Sequence, residues 1–135
     1  MRLYFLRHAD ALDGPNDAIR SLSPKGHQQC GRVGQFLKTA KIHFDAVYSS
    51  PLVRARETAE LVLQKCGKVS ADEVQLVDAL LNETSARDFT GWLRSLPDAA
   101  HVLLVGHAPT LSERVRTLLD IDEPEALELP KAGLA

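Results

Sequence analysis

The sequence predicts an α/β fold of three layers, with a mostly parallel sheet between two layers of helices. Short apolar runs of strand length alternate with longer segments whose apolar residues recur at helical spacing. Proline follows serine at the start of two of those helical segments, where its missing N–H costs no hydrogen bond. No repeat, linker or low-complexity tract divides the 135 residues, so we expect a single domain over residues 1–135.

The first half of the chain shows two strand–helix pairs. Leu3–Leu6 and Asp45–Tyr48 are apolar runs of strand length. Ser23-Pro24 predicts the start of a helix over residues 24–39, and Ser50-Pro51 predicts the start of a second helix. The apolar residues that we expect on the buried helix faces are Cys30, Val33, Phe36 and Leu37 in the first helix and Leu52, Ala55, Ala59, Val62, Leu63 and Cys66 in the second.

The second half repeats this pattern. Val74–Val77 predicts a weak third strand, and His101–Val105 predicts a fourth strand of buried type. Residues 126–135 predict one further strand at the sheet edge. The apolar residues at helical spacing are Phe89, Trp92, Leu93 and Leu96 between these two strands, and Leu111, Val115, Leu118 and Leu119 in a last helix that Pro109 begins.

The overall charge excludes one class of function. Sixteen Lys and Arg residues against eighteen Asp and Glu leave a net charge of −2, so no general attraction to nucleic acid is expected. The apolar runs are too short to cross a membrane, and Met1–Leu6 does not resemble a signal peptide. The two cysteines, Cys30 and Cys66, predict reduced thiols in a cytoplasmic protein.

Unusual polar residues follow three of the predicted strands. Arg7-His8 ends the first strand, Arg54 lies one turn into the helix after the second, and His107 ends the fourth. In open α/β sheets, ligands bind beyond the carboxyl ends of the strands, so these four side chains are expected to meet. Each alone has a plainer interpretation, such as a capping histidine or an arginine in a surface ion pair.

Together, these residue types favour a phosphate-handling site. Guanidinium groups match phosphoryl oxygens in geometry and charge, and helix N-termini add N–H donors. A neutral imidazole can attack phosphorus, while a second one stabilises the transferring group. We therefore expect a bell-shaped pH profile, with one histidine neutral and the other protonated. The histidines and cysteines fit no zinc-ligand spacing, and no glycine-rich phosphate loop occurs, so neither a metal nor a cofactor is expected.

The order and spacing of these motifs resemble the histidine phosphatase superfamily, also called phosphoglycerate-mutase-like. Leu6-Arg7-His8-Ala9 resembles its first signature, residues 50–58 its second, and Val105-Gly106-His107 its third. The resemblance covers essentially the whole chain. Only 53 positions separate Arg54 from His107, which leaves little room for a cap, and the short length is most like the phosphohistidine phosphatases of the SixA type.

The resemblance implies a metal-independent phosphatase that acts on phosphohistidine in a protein or on a small phosphoester. His8 would be the nucleophile that becomes phosphorylated, with Arg7, Arg54 and His107 forming the phosphate pocket. It also implies a further pocket arginine at Arg20. Glu83 is the candidate for the acid that protonates the leaving group, with Asp78 and Asp10 as rivals.

Two departures and two alternatives accompany this resemblance. Ala9 stands where the family signature has glycine, which removes the freedom to adopt a positive φ. The family sheet usually finishes with strands after a segment like residues 129–134, so we expect either an unusually short protein or a missing edge hairpin, and the second would leave a sheet edge exposed. The alternatives are a binding module for phosphorylated ligands without turnover, and a phosphotransferase of the phosphoglycerate-mutase type. The intact His8 argues against the first, and the lack of a cap against the second.

Overall fold

Four parallel strands form the sheet of this protein. The structure is a computed structural model that describes residues 1–66 and 73–135. In chain order the strands are β1 (Arg2–Arg7), β2 (Ala46–Ser49), β3 (Val74–Leu76) and β4 (His101–Gly106). Their order across the sheet is β1-β4-β2-β3, and every neighbouring pair is parallel. The first and last strands of the chain therefore lie side by side, which brings their carboxyl ends together.

Helices connect the strands and cover both faces of the sheet. They are α1 (Pro24–Thr39), α2 (Val53–Cys66), α3 (Ala86–Ser95) and α4 (Thr110–Leu118), with short 3₁₀ turns at Asp17–Ile19, Asp78–Leu80 and Pro124–Ala126. The predicted α/β class is confirmed, and α1 occupies the span that the sequence predicts. Between β3 and β4 the chain holds only one 3₁₀ turn and α3, so no cap domain stands in that interval.

The alternation of side chains along β4 separates two hydrophobic cores. Leu103 and Val105 face a core built with α1 and α2, whereas Val102 and Leu104 face a core built with α3 and α4. All four side chains are essentially inaccessible to solvent. A strand that is apolar on both faces is typical of the centre of a parallel sheet, which explains the continuous apolar run at 102–105.

Three predicted core residues are instead exposed. Phe36, Leu118 and Leu119 keep 58%, 50% and 59% of their surface accessible. Phe36 lies about 100° around α1 from the buried Leu37, because each residue turns an α-helix by about that angle. Leu118 ends α4 and Leu119 follows it, so the apolar stripe continues past the part of the helix that packs on the sheet.

The second helix begins later than the sequence predicts. Its first residue is Val53, three residues after Ser50, rather than at the Ser50-Pro51 pair. The Ser50 hydroxyl accepts a hydrogen bond from the backbone N–H of Leu52 at 3.2 Å, and the same oxygen lies 2.7 Å from His107 Nε2. Ser50 therefore shapes the strand-to-helix turn and contacts a histidine, rather than acting as a simple helix cap.

The outer edge of β1 is covered by the C-terminal segment. Phe5 and Ala135 exchange backbone hydrogen bonds of 2.8 and 2.9 Å, and the N–H of Arg7 donates to Gly133. The pairing is antiparallel and centres on Leu6 opposite Leu134. The exposed edge that a missing hairpin would leave is thus not found at β1, because this segment takes up its hydrogen-bonding groups. Of residues 126–135, only the last few pair with the sheet, since the chain forms a 3₁₀ turn at Pro124–Ala126.

The loop that follows β1 is fixed against the start of α1. The N–H of Asp10 donates to Gln29 Oε1 at 2.8 Å, and the carbonyl of Asp10 accepts from the N–H of Ser23 at 3.0 Å. A Cβ on Gly26 would collide with that carbonyl, so glycine is required for this approach. These contacts hold the chain on both sides of His8.

Candidate active site

The hydrogen bonding of the sheet continues one residue beyond the strands and brings the predicted side chains together. The N–H of His8 donates to the carbonyl of Gly106 at 2.9 Å, and the N–H of Ser50 donates to that of Val105 at 3.0 Å. His107 follows Gly106 directly. The ends of β1, β2 and β4 therefore deliver His8, Ser50 and His107 to one place at the carboxyl edge of the sheet.

His8 is held as a neutral imidazole with a defined tautomer. Its Nδ1 lies 2.7 Å from the carbonyl oxygen of Ala9. Because a carbonyl oxygen only accepts, Nδ1 carries the hydrogen and Nε2 keeps its lone pair. Burial, together with the positive charges of Arg54 and Arg7, lowers the pKa of His8 to about 4 despite the opposing effect of that hydrogen bond.

His107 lies beside His8 and is also neutral. The two ring centres are 5.1 Å apart, and only 3% of the surface of His107 is accessible. Burial, followed by the neighbouring His8 and Arg54, lowers the pKa of His107 to about 3. The expected bell-shaped profile with a protonated His107 is therefore not what this site favours, because both rings are neutral between pH 5 and 8 before substrate binds.

Arg7 and Arg54 place two guanidinium groups beside the imidazole pair. Arg7 Nη1 donates to the carbonyl of Leu129 at 3.1 Å. Arg54 Nη1 donates to the carbonyl of Asp17 at 2.8 Å. Within the described residues, five buried side-chain nitrogen atoms have no hydrogen-bond partner, and three of them belong to this site: Nε of Arg7, Nε of Arg54 and Nδ1 of His107. The other two are Nε of Arg56 and Nε of Arg114. Buried polar groups are normally paired, so the three nitrogens of this site indicate a place for a ligand rich in acceptor oxygens.

Thr58 ties the two sides of this site together. Its hydroxyl donates to the carbonyl of Arg54 at 2.7 Å and accepts from the N–H of Ala9 at 3.0 Å. Ala9 is fully buried in the core of α1 and α2. Within the described chain, the non-glycine residues with positive φ are Lys41, Asp120 and Ala132, so the backbone at Ala9 does not need glycine.

Arg20 reaches the site through Asp17. Its Nε and Nη2 approach Asp17 Oδ1 at 3.0 and 2.9 Å, and Asp17 Oδ2 in turn accepts from Arg54 Nη2 at 3.2 Å. Arg20 also donates to the carbonyl of Leu12 at 3.2 Å. In this state, Arg20 is connected to the other arginine by a shared carboxylate.

The three candidate acids occupy different surroundings. Asp10 accepts from Lys131 at 2.7 Å and from the Ser23 hydroxyl at 2.6 Å, and these hydrogen bonds lower its pKa. A carboxyl group held in its ionised form is a poor proton donor. Glu83 and Asp78 are exposed on the segment after β3. The residue next to Glu83, Asn82, donates to the carbonyl of Ala108 at 2.9 Å, which holds that segment against the loop after His107.

Three contacts of this site lie outside the sequence prediction. Ser50 is hydrogen-bonded to His107, and Asp17 accepts a hydrogen bond from Arg54. Thr58, in the second signature segment, accepts a hydrogen bond from the backbone of the first. Ser50 and Thr58 carry a weak signal, because both fall inside the segment that resembles the second signature. Asp17 lies in a polar, turn-forming stretch, and nothing in its pattern separates it from Asp13.

Comparison with known proteins identifies the family. The model of the histidine phosphatase superfamily (branch 1) matches residues 3–95. The chain belongs to the histidine phosphatase superfamily. It is similar over 130 residues to the phosphohistidine phosphatase SixA of Escherichia coli, with 29% identity, 92% of this chain and 78% of that protein covered. It is also 35% identical over 140 residues to an uncharacterised protein of Picosynechococcus, of which 82% is covered.

A solved structure of this superfamily agrees with the fold. The protein histidine phosphatase SixA, complexed with tungstate, superposes with a TM-score of 0.78 at 27% identity. The alignment covers 86% of this chain and 75% of that one. The predicted phosphoglycerate-mutase-like architecture is confirmed, and so is the assignment of the chain as a SixA-like phosphatase of this superfamily.

Two features are absent from the described residues. Over residues 1–66 and 73–135, no group of three or more His, Cys, Asp or Glu side chains is placed to hold a metal ion. In the same ranges no helix is long and apolar enough to span a membrane. The two cysteines of the chain, Cys30 and Cys66, form no disulfide.

Proposed function

We propose that this phosphatase removes a phosphoryl group from a phosphohistidine side chain, or from a small phosphoester, through an intermediate phosphorylated on His8. The observation that carries this proposal is the pair of neutral imidazoles 5.1 Å apart, flanked by two arginines with unpartnered buried Nε atoms. A neutral His8 has the lone pair that attack on phosphorus requires. The guanidinium groups match the charge and shape of the phosphoryl oxygens.

In the first step, His8 Nε2 donates its lone pair to phosphorus. The bond from phosphorus to the leaving atom breaks, and its electron pair departs with the leaving group. The hydrogen bond from Nδ1 to the carbonyl of Ala9 stabilises the positive charge that develops on the ring. Arg7 and Arg54 neutralise the negative charge on the equatorial oxygens.

His107 contributes a further donor to this step. Its Nε2 lies 2.7 Å from the Ser50 hydroxyl, whose oxygen accepts from the N–H of Leu52, so the hydroxyl hydrogen is available to donate to Nε2. This arrangement leaves the hydrogen of His107 on Nδ1, the buried atom without a partner. A neutral imidazole can donate that hydrogen to a phosphoryl oxygen without being protonated, so the lowered pKa of His107 is compatible with catalysis.

In the second step, water attacks the phosphorus of the intermediate. The bond between phosphorus and Nε2 breaks, and its electron pair returns to His8 as phosphate forms. The proton lost by the water passes to the phosphate or to solvent. The enzyme is thereby restored with both imidazoles neutral.

The identity of the leaving group decides how much acid catalysis is needed. An alkoxide must gain a proton as it departs, and Glu83 is our candidate donor because its segment packs against the loop after His107. A phosphohistidine whose ring is already protonated leaves as a neutral imidazole and needs no such acid. The similarity to SixA supports a phosphohistidine substrate.

A groove beside Arg7 offers room for the rest of the substrate. Its volume is about 420 Å³, and Arg7, Pro109, Glu113, Arg116 and Glu128 are among the residues that line it. Arg7 and Pro109 are close in sequence to His8 and His107, so the groove adjoins the phosphoryl site. An open groove of this kind accommodates a side chain that projects from a larger protein.

The decisive experiment measures phosphate release, in EDTA, from a phosphohistidine peptide and from p-nitrophenyl phosphate. Replacing the nucleophile in His8→Ala is expected to lower the rate at least about 10³-fold on both substrates. The matched control is His27→Ala, which removes an exposed histidine and should leave the rate within about twofold.

Normal turnover by His8→Ala would exclude this mechanism, and loss of wild-type activity in EDTA would exclude its independence from metals. A wild-type protein that binds tungstate yet releases no phosphate from either substrate would indicate a binding module instead. Release confined to phosphohistidine would select the protein substrate over the small phosphoester.

A further inference from the structure

The carboxylate of Asp17 forms an ion pair with Arg54, the arginine that the proposed function assigns to binding the phosphoryl group. Asp17 Oδ2 accepts from Arg54 Nη2 at 3.2 Å, while the carbonyl of the same residue accepts from Arg54 Nη1 at 2.8 Å. Both terminal nitrogens of Arg54 are therefore engaged by one residue. Two of the five N–H donors of this guanidinium are thus used, which leaves the unpartnered Nε and one hydrogen on each terminal nitrogen for a substrate phosphoryl group.

The two partners in this ion pair are very differently exposed. The Asp17 side chain is 67% accessible, whereas that of Arg54 is 8% accessible. Asp17 begins a 3₁₀ turn of three residues, none of which is buried or part of the two hydrophobic cores. Arg54 is thus fixed by burial, and the carboxylate is the member of the pair that is free to move.

Asp17 and a bound phosphoryl group are both anions that compete for one guanidinium. Like charges a few ångströms apart repel each other, and at the exposed carboxylate of Asp17 this repulsion is reduced by salt. We propose that Asp17 is a positioning residue that acts as an internal competitor. In the empty site its carboxylate holds Arg54 in place, and it gives up Nη2 when a phosphoryl group binds.

The local contacts provide for such an exchange. Arg20 binds Asp17 Oδ1 through two nitrogens, so the carboxylate retains a cationic partner after it leaves Arg54. The carbonyl of Asp17 continues to accept from Arg54 Nη1, which keeps the guanidinium oriented. The exchange therefore needs a rotation of one exposed side chain rather than a rearrangement of the backbone.

This competition affects the end of the reaction as well as its beginning. Once phosphate has formed, the returning carboxylate displaces it from Arg54 and so weakens the binding of the product. The inference rests on the proposed function, because it takes Arg54 to bind the phosphoryl group. It adds that Asp17, a residue of the same chain, limits the affinity of the site for phosphate.

Calorimetric titration with inorganic phosphate and with tungstate tests the proposal without any need for turnover. Asp17→Asn keeps the size of the side chain and the backbone contact but removes the competing charge. We expect it to bind both anions about three- to tenfold more tightly than the wild type. The difference should shrink at high ionic strength, since an exposed charge is screened by salt.

Steady-state kinetics on p-nitrophenyl phosphate supply a second readout. KM and the inhibition constant for phosphate are both expected to fall by the same factor in Asp17→Asn, with kcat changed by less than about twofold, because ground state and transition state gain equally. A residue that merely supports the fold would not produce this separation of KM from kcat.

The matched control is Asp13→Asn, which removes the same charge from the same loop at an exposed residue that makes no hydrogen bond or ion pair within the described chain. It should leave anion affinity unchanged. Anion binding by Asp17→Asn that is equal to or weaker than the wild type would overturn the proposal. If instead the affinities change as expected but His8→Ala retains turnover, the competitor stands and the phosphohistidine mechanism falls.

Discussion

The candidate site has two halves that differ in burial, rigidity and origin. One half consists of His8 and His107 with their supports Ser50 and Thr58, all of which are less than a tenth exposed. The other half is the short turn that carries Asp17 and Arg20, whose side chains are 67% and 24% exposed. Arg54 stands between them, buried by the core but bonded to the turn.

This difference separates two tasks of one site. The buried half fixes tautomers and lowers pKa values, and such preorganisation depends on the exclusion of water. The exposed half consists of charged side chains at or near the surface, whose contacts are individually weak and exchange readily. The chemistry is therefore expected to depend on the buried half, and the affinity for the phosphoryl group on the exposed half.

Two arginine variants test this division most strongly, one at the buried Arg54 and one at Arg20 in the exposed half. Arg54→Ala is expected to lower kcat/KM about 10²- to 10³-fold, because a preorganised donor to the phosphoryl oxygens disappears from a water-poor site. Arg20→Ala should cost at most about tenfold, since its guanidinium reaches the site through Asp17. Both rates are measured on p-nitrophenyl phosphate.

Arg56→Ala provides the control for this pair of variants. Arg56 is on the same helix as Arg54, and its Nε lies 3.6 Å from Glu60 at the surface. Its replacement should leave kcat/KM within about twofold. Equal losses in Arg54→Ala and Arg20→Ala would show that the two halves do not divide the work as we describe.

The buried half should also make folding stability depend on acidity. His8 and His107 titrate near pH 4 and 3 in the folded protein, against an ordinary value of 6.5 in the unfolded chain. Between pH 6.5 and 4 the unfolded state binds more protons, so the free energy of unfolding falls as pH is lowered. From pH 7 to pH 5 we expect a loss of about 4 kcal/mol, measured by urea denaturation.

Replacing the imidazole of His107 separates its contribution to the pH dependence of unfolding free energy from that of the other titratable groups. His107→Asn should reduce the slope of unfolding free energy against pH, whatever its effect on the stability at pH 7. The same substitution at the exposed His27 should leave the slope unchanged. A wild-type stability that is constant from pH 7 to pH 5 would contradict the lowered pKa values.

The sequence predicts the buried half better than the exposed half for a physical reason. His8 and His107 follow apolar runs that can only be strands, so the parallel topology determines where they meet. Residues 24–39 begin with a proline and have apolar residues at helical spacing. Both signals are local, and α1 has the predicted bounds. Phe36 and Leu118 show where prediction from periodicity fails. Helical spacing identifies the apolar residues on one side of a helix, but it does not show which of them pack against the rest of the fold.

The exposed half lacks such local signals. Asp17 and Asp13 are alike in sequence, and only the fold shows that one of them reaches the guanidinium of Arg54 on another element. The pairing of residues 133–135 with β1 is equally non-local, since the segment carries no alternating pattern and is ordered by the free edge of the sheet. The catalytic and binding roles of the site residues stay predictions, for Glu83 and Arg20 as for the buried groups.

The smallest expected effect concerns the support of His107 rather than the ring itself. Ser50→Ala removes the hydroxyl 2.7 Å from His107 Nε2, so the ring is no longer held with its hydrogen on Nδ1. We expect kcat to fall about three- to tenfold with little change in KM, because the affected donor acts mainly on charge that develops in the transition state.

Ser49→Ala is a closely matched control, since Ser49 is also fully buried and its hydroxyl donates to the carbonyl of Ser50 at 2.9 Å. Each substitution removes one buried hydroxyl and should destabilise the fold by about 1 kcal/mol. If both variants lose stability but only Ser50→Ala loses kcat, the hydroxyl acts through the imidazole. Equal losses of kcat would instead assign the effect to the shape of the turn after β2, and the buried half would then contribute to catalysis through its backbone as much as through its hydrogen bonds.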